Sequence, residues 1–201
     1  MKSKIFGDGD SLKHKQIKSC DDSGSNKLIT ILEDSGQIKY VNSSVKHPDQ
    51  EIPKVIVGGV PKPIVIYDKD GEYGLYSKGQ RHYIVGNNLD KINDYFKTKL
   101  STFILRNVKY EQGFIKPGYF PDVRSTDLKI INDDTLANYF GFTAEERNEI
   151  AKMPDPIHPK ASKIIKITCA DLKKKGAKEE EPAEGGGAKS NRYNKTRKAL
   201  R

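Results

Sequence analysis

Apolar positions along this chain fall mostly into short runs, and only once into a sustained spacing of three and four. Residues 28–32, Leu-Ile-Thr-Ile-Leu, read as a strand rich in aliphatic and β-branched side chains. Glu33-Asp34-Ser35-Gly36 supplies a turn, and residues 37–41 alternate polar and apolar. Together they predict a hairpin with Ile38 and Tyr40 on one face. Residues 54–57 and 64–67 are two further apolar runs, bounded by Gly58-Gly59 and by Pro61 and Pro63. Proline is tolerated at a strand start, where no ladder N–H is needed. Asp70-Gly71 is a turn signal, and residues 73–76 and 82–85 follow as short strands. Gly74 inside the first of these marks a bulge, or a place where another backbone or a ligand comes close.

Leu89, Ile92, Tyr95, Phe96, Leu100, Phe103 and Ile104 share one face of a helix over residues 89–105, with Asn87 or Asn88 as its cap. Its aromatics read as core, and Lys91, Lys97 and Lys99 take the remaining surface. Two short helices follow. The first starts at Asp133 or Asp134, carries Leu136, Tyr139 and Phe140, and stops at Gly141. The second opens on Thr143-Ala144-Glu145-Glu146, a capping box, with Ile150 turned inward. Pro154, Pro156 and Pro159 end it, and residues 163–168 predict a last edge strand. Beyond Asp171 too little apolar surface remains to offset ordering entropy. The expected fold is α+β: a mainly antiparallel β domain with one amphipathic helix, a short two-helix extension and a disordered basic tail. The expected division is a polar segment over 1–26, an α+β domain over 27–130, helices over 131–153, a linker over 154–172 and the tail over 173–201.

Charge changes the picture from a generic small domain to one with a polyanionic partner. The 201 residues carry a net charge of +9, with a pI near 9.3. Seven Lys and three Arg against four Glu place +6 in residues 173–201, leaving +3 for the rest. Cys20 and Cys169 make no disulfide framework, and no Cys–His cluster has zinc spacing. The expectation is a soluble protein of a reducing intracellular compartment, with no secretory signal and no membrane span.

The chemistry-bearing candidates sort by what each reaction demands. Gly7-Asp8-Gly9 lacks the strand before it and the helix after it that an anion-cradling loop needs. His14, His47, His82 and His158 sit apart, with no Ser or Cys at a recognisable spacing; His82 is expected at a strand edge. A magnesium-dependent nuclease needs two carboxylates and a Lys. Pro121-Asp122 with Asp127-Leu128-Lys129, and Pro154-Asp155 with Asp171-Leu172-Lys173, have those letters. DNA binding asks less. Lys78, Lys109, Lys116 and Arg124 suit phosphates, and Gln80, Arg81 and Gln112 suit base edges. In the tail, Lys173, Lys174, Lys175, Arg192, Lys195, Arg197, Lys198 and Arg201 are candidate non-specific contacts.

Several pieces also occur in a familiar order: His14-Lys15-Gln16-Ile17-Lys18, Pro53-Lys54-Val55-Ile56, Asp70-Gly71-Glu72-Tyr73-Gly74, Tyr83-Ile84-Val85, Thr98-Lys99-Leu100, Gly113-Phe114 and Phe120-Pro121-Asp122-Val123. Asp133-Asp134-Thr135-Leu136 and the stretch 139–146 continue it. Over residues 12–153 this pattern resembles the C-terminal target-recognition region of adenine-specific N6 DNA methyltransferases of restriction–modification systems, including forms in large DNA viruses. The resemblance implies double-stranded DNA as partner. It also implies a methyl-transfer half that binds S-adenosylmethionine and grips a flipped adenine with a Pro-Pro-aromatic loop. This chain has no Pro-Pro pair. No catalytic residue, metal ligand or cofactor is therefore assigned to it, and methyl transfer would need a separate catalytic chain. The alternative expectation is a structural or packaging protein, for instance of a large DNA virus, that holds nucleic acid through its tail.

Overall fold

The computed structural model describes residues 12–13, 17, 20–32, 37–58, 64–76, 81–107, 120–157 and 164–172. Its named strands and helices all belong to the unit Met1–Cys169. The strands are β1 (Leu12–Lys13), β2 (Asn26–Leu32), β3 (Ile38–Ser43), β4 (Lys54–Gly58), β5 (Ile64–Asp68), β6 (Tyr73–Leu75), β7 (Arg81–Ile84) and β8 (Ile164–Lys166). The helices are α1 (Leu89–Tyr95), α2 (Lys99–Asn107), α3 (Asp133–Phe140) and α4 (Ala144–Ala151). The fold is α+β, as the apolar pattern predicts.

The strands form two sheets, ordered β1-β7-β4-β5 and β6-β2-β3-β8. The first is antiparallel throughout. In the second, β2 and β3 are the expected hairpin, while the outer strands β6 and β8 run parallel to their neighbours. The bare apolar run of β4 is explained by its place, since a strand covered on both faces needs no polar side. Val55 and Val57 join Val65, Ile84 and the helix residues Leu89, Ile92, Tyr95, Leu100, Leu136 and Ile150. Ile56 on the other face joins Ile66 and Tyr83, packed with Ile29, Ile38 and Leu75 of the second sheet. Helices, first sheet and second sheet are thus three layers. Each fully buried Val, Leu or Ile contributes about 1.5–3 kcal/mol to holding them.

The single helix expected over 89–105 is two. The Thr98 hydroxyl donates to Tyr95 O (2.6 Å), and its oxygen accepts from Ser101 N (3.1 Å). Asp133 supplies the rest of the break: its carboxylate accepts from Lys99 N and Leu100 N, both at 2.9 Å. A second helix N-terminus is thus capped in mid-pattern by a residue from the next helix. Asn88 stands at the N-cap of α1 as expected, but in the left-handed region (φ 55°) and without a side-chain cap bond. α3 starts at Asp133 as expected, with Asn132 as its N-cap in a reciprocal box with Thr135. The Gly141 stop, the Thr143–Glu146 box and the buried Ile150 are as expected. His82 is buried on β7, which lies between β1 and β4 and is not an edge.

Cys20 and Cys169 are joined as a disulfide across 149 residues, with Cα atoms 5.8 Å apart. The sequence alone, with two distant cysteines and no disulfide framework, does not pair them; β8 does. Its pairing with β3 carries Cys169 to the same end as the segment before β2.

Tyr73, Tyr83 and Tyr95 all have phenols held above their usual value of 10.0, chiefly by desolvation; a hydrogen bond to Asp49 adds to this at Tyr83. The fold favours the protonated phenol. Stability from these groups is therefore complete below pH 10 and is lost as pH rises above it. In an alkaline titration followed by ultraviolet absorbance and circular dichroism, their tyrosinate signal should emerge only with unfolding. All ten tyrosines titrating near pH 10 in a folded chain would contradict this.

Candidate nucleic-acid interface

The register of the sheets brings several strand ends to one end of the unit Met1–Cys169. Gly58, the last residue of β4, lies opposite both Ile64 and Arg81. Val65 N donates to Ile157 O (3.3 Å), which sets Ile157 beside that same corner. In the second sheet Leu32 faces Ile38 and Ile38 faces Ile164, so the turn of the hairpin and the start of β8 share an end. Ile17 N donates to Leu75 O (2.8 Å), setting Ile17 next to Tyr76. At the far end the two sheets are tied together, where Tyr73 N donates to Asp68 (3.0 Å). The ends bearing Arg81 and Tyr76 therefore face the same way.

Between these anchors run residues 14–16, 18–19, 59–63, 77–80 and 158–163, whose structure lies outside the described residues. By sequence they hold Lys15, Lys18, Lys62, Lys78, Lys160 and Lys163, and not one Asp or Glu. Each of these lysines is within three residues of a described anchor, so at most about 11 Å of chain separates it from the fold. Arg81 is itself an anchor, the first residue of β7. Residues 33–36, which carry Glu33 and Asp34, lie outside the described residues.

The other end carries Glu51, Asp68, Asp70, Glu72 and Asp90 around the start of β4 and the end of β5. Its lysines are committed locally: Lys27 to Glu72, Lys46 to Glu51, Lys54 to Asp68 and Lys69 to Asp90. Asp21 is held well below the usual carboxylate range by the Ser44 hydroxyl and by the N–H groups of Ser44 and Ser23. Of the chain's 36 Lys and Arg and 27 Asp and Glu, the described residues hold 16 and 18. The described framework is thus close to neutral, and the positive excess lies outside it, +6 of it in residues 173–201 and the remainder mainly in the segments between the strands.

The expected site residues separate accordingly. Arg81 stands at the cationic end, and Lys78 and Gln80 are within three residues of it in a segment outside the described residues. Lys109, Gln112 and Lys116 also lie outside the described residues, between Asn107 and Phe120, and so do the tail candidates from Lys173 to Arg201. Arg124 is elsewhere. Its guanidinium donates to Val85 O (3.5 Å) and Asn87 O (3.4 Å), past the opposite end of β7. Desolvation there lowers its pKa and the nearby Asp122 opposes that shift. Arg124 thus pins the β7–α1 turn, about 13 Å along the strand from Arg81. Lys15, Lys18, Lys62, Lys160 and Lys163 are not among the expected contacts; the signal for them is the want of acidic residues in each of their segments.

Nuclease chemistry finds no frame in the described residues. Asp122 accepts from Ser125 N (3.2 Å) in a stretch that carries no strand, and Asp155 stands exposed after α4. His47, Asp49 and Tyr83 are buried against one another, with Tyr83 donating to Asp49 and the His47 Nδ1 accepting from Asp49 N (3.1 Å). Among the described residues the one gathering of three His, Cys, Asp or Glu ligand atoms is Cys20, Asp22 and Cys169. No described helix is long and apolar enough to cross a membrane.

No family model, no curated protein and no solved structure matches the chain. The resemblance to the methyltransferase recognition region rests on the ordered sequence pieces alone.

Proposed function

We propose that this protein binds double-stranded DNA through the Arg81 end of its two sheets. In this reading it is a target-recognition module like that of the adenine-N6 methyltransferases, with methyl transfer left to a separate catalytic chain that supplies the S-adenosylmethionine site. One observation carries the reading: acid-poor, lysine-bearing segments are anchored together at one end of a framework whose other end carries Glu51, Asp68, Asp70, Glu72 and Asp90. Phosphates need cations at a surface, and base edges need Arg or Gln among them. Lys62, Lys78, Lys160 and Lys163 supply the first, and Gln80 and Arg81 the second. The reading carries an intracellular or virion location with it, where duplex DNA is to be found.

The near-neutral framework favours a second reading, in which the 173–201 tail alone holds nucleic acid and the body packs or scaffolds. Salt-dependent duplex binding separates the two. Lys62→Glu/Lys78→Glu/Arg81→Glu should weaken binding about a hundredfold at low salt and flatten the salt slope. Lys46→Glu, at the other end, should change it by less than about twofold. Removal of residues 173–201 should weaken all duplexes alike and leave the ranking of sequences unchanged. If the triple variant binds as the wild type does, and tail removal abolishes binding, the packaging reading replaces the first.

A further inference from the structure

We propose that Cys20, Asp22 and Cys169 form a redox-gated site for a thiophilic divalent cation of the zinc type. The oxidised form is the disulfide. In the reduced form the two thiolates and the Asp22 carboxylate are three ligands, with water completing a tetrahedron.

The argument starts from what holds the three residues when the S–S bond is gone. The Cys20 side is fixed without it. Asp21 accepts from Ser44 N and from the Ser23 and Ser44 hydroxyls, and Asn26 Nδ2 donates to Ser43 O (3.0 Å). Gly24 lies so close to β3 that a Cβ there would stand 1.9 Å from Ser43 O. The Cys169 side is fixed separately, by the β3–β8 pairing and by Ile167 N donating to Tyr40 O (2.9 Å). The third ligand bridges the two sides. Both Asp22 carboxylate oxygens accept from Cys169 N, at 2.9 and 3.1 Å. Asp22 reaches there from a left-handed backbone position, φ 60°, that a non-glycine residue seldom adopts. Reduction therefore leaves the sulfurs facing each other beside a positioned carboxylate.

The geometry and chemistry of the set agree with this assignment. The three ligand atoms lie within 4.8 Å of one another. Zinc–sulfur bonds of about 2.3 Å in a tetrahedron set two sulfurs about 3.8 Å apart, so reduction asks only a small outward movement. Two thiolates and a carboxylate suit zinc over magnesium or calcium. Both cysteines are half-buried and Asp22 is exposed, which gives an ion a way in. In the oxidising direction the metal-bound thiolates give up two electrons to form the S–S bond and the cation is released. With hydrogen peroxide as acceptor, its O–O bond breaks and two protons complete two waters. A dithiol or phosphine reductant reverses the step.

The test uses the full chain with cobalt(II) as probe, under anaerobic conditions after phosphine reduction. The expected result is one equivalent bound, with tetrahedral d–d bands and a thiolate-to-cobalt charge-transfer band, and zinc displacing the cobalt. Peroxide should bleach the spectrum and restore the disulfide. Cys169→Ser should abolish the charge-transfer band. Asp22→Asn should weaken cobalt binding about tenfold or more while the oxidised variant still forms the disulfide. A reduced wild-type chain with no cobalt spectrum would overturn the proposal, as would a Cys169→Ser spectrum equal to the wild type. If Asp22→Asn binds cobalt as tightly as the wild type, the three-ligand set is wrong.

Discussion

Asp68→Ala should cost about 3–5 kcal/mol of unfolding free energy, because it strands a buried ammonium. Lys54 has no exposed side-chain area, and Asp68 has almost none; their charged atoms are 3.1 Å apart. Lys54 Nζ also donates to Ile52 O (2.8 Å), a contact too weak to replace the lost counter-charge. The carboxylate has a second duty. It accepts from Glu72 N (2.7 Å) and Tyr73 N (3.0 Å) and so closes the turn that ties the two sheets. Removing it leaves those donors unmatched as well. A natural domain has roughly 5–15 kcal/mol in all, so the variant should sit near its unfolding midpoint without denaturant. Lys54→Met/Asp68→Leu should recover the ion-pair part of the loss and keep the turn part, and Asp68→Asn should fall between. Urea unfolding followed by circular dichroism gives the ranking. An Asp68→Ala midpoint close to wild type would mean that Lys54 finds water or another carboxylate.

That pair also marks where the sequence stops being legible. Lys54 and Asp68 each read as a strand end beside a turn, and both are. Nothing local says that they lie opposite each other, since that depends on the β4–β5 register. A lysine at a strand start is most often solvated, and only its partner makes full burial tolerable. The same division runs through the fold. The strands were visible from β-branched runs and the helix ends from Gly141 and the Thr143–Glu146 box, because these are decided within a few residues. The break between α1 and α2 was not visible, because its decisive cap is Asp133, from a helix more than thirty residues on. The parallel pairing of β6 with β2 and of β8 with β3 has no local signature, and the meeting of Cys20 with Cys169 follows from it.

The candidate interface was half legible for the same reason. Lys78, Gln80 and Arg81 stand out by residue type within four positions, which is a local property. That residues 59–63 and 158–163 are anchored at the same corner depends on Gly58 facing both Ile64 and Arg81, and on Val65 bonding to Ile157. Arg124 shows the opposite case. Its composition suits a phosphate contact, but the structure gives its guanidinium to two carbonyls of a turn. Side-chain type alone does not separate a cation that holds the fold from one offered to a partner. The distinction lies in what its donors already touch.

Gly74→Ala should destabilise the protein by about 3 kcal/mol, at the upper end for one added methyl group in a packed interior. A Cβ at this position would stand 2.4 Å from His47 Cβ, 2.8 Å from Leu28 Cδ2 and 2.9 Å from His47 Cγ. Leu28 is its register partner on β2, and neither neighbour is the loose end of a long side chain. His47 cannot give way cheaply. Its Nδ1 accepts from Asp49 N (3.1 Å), and its ring meets that of Tyr83 edge-on, with centroids 5.5 Å apart. Moving it disturbs the Tyr83–Asp49 hydrogen bond in the core between the sheets. The expected loss is steric, which sets it apart from Gly141→Ala. There the backbone is left-handed (φ 69°) but nothing lies within 4 Å, and about 1–2 kcal/mol of conformational cost is all that applies. A double-mutant cycle with His47→Gly assigns the clash, since removing His47 Cβ should make Gly74→Ala less costly by more than about 1 kcal/mol. If Gly74→Ala unfolds with the wild-type midpoint, the close approach of His47 to β6 is not a feature of the folded protein.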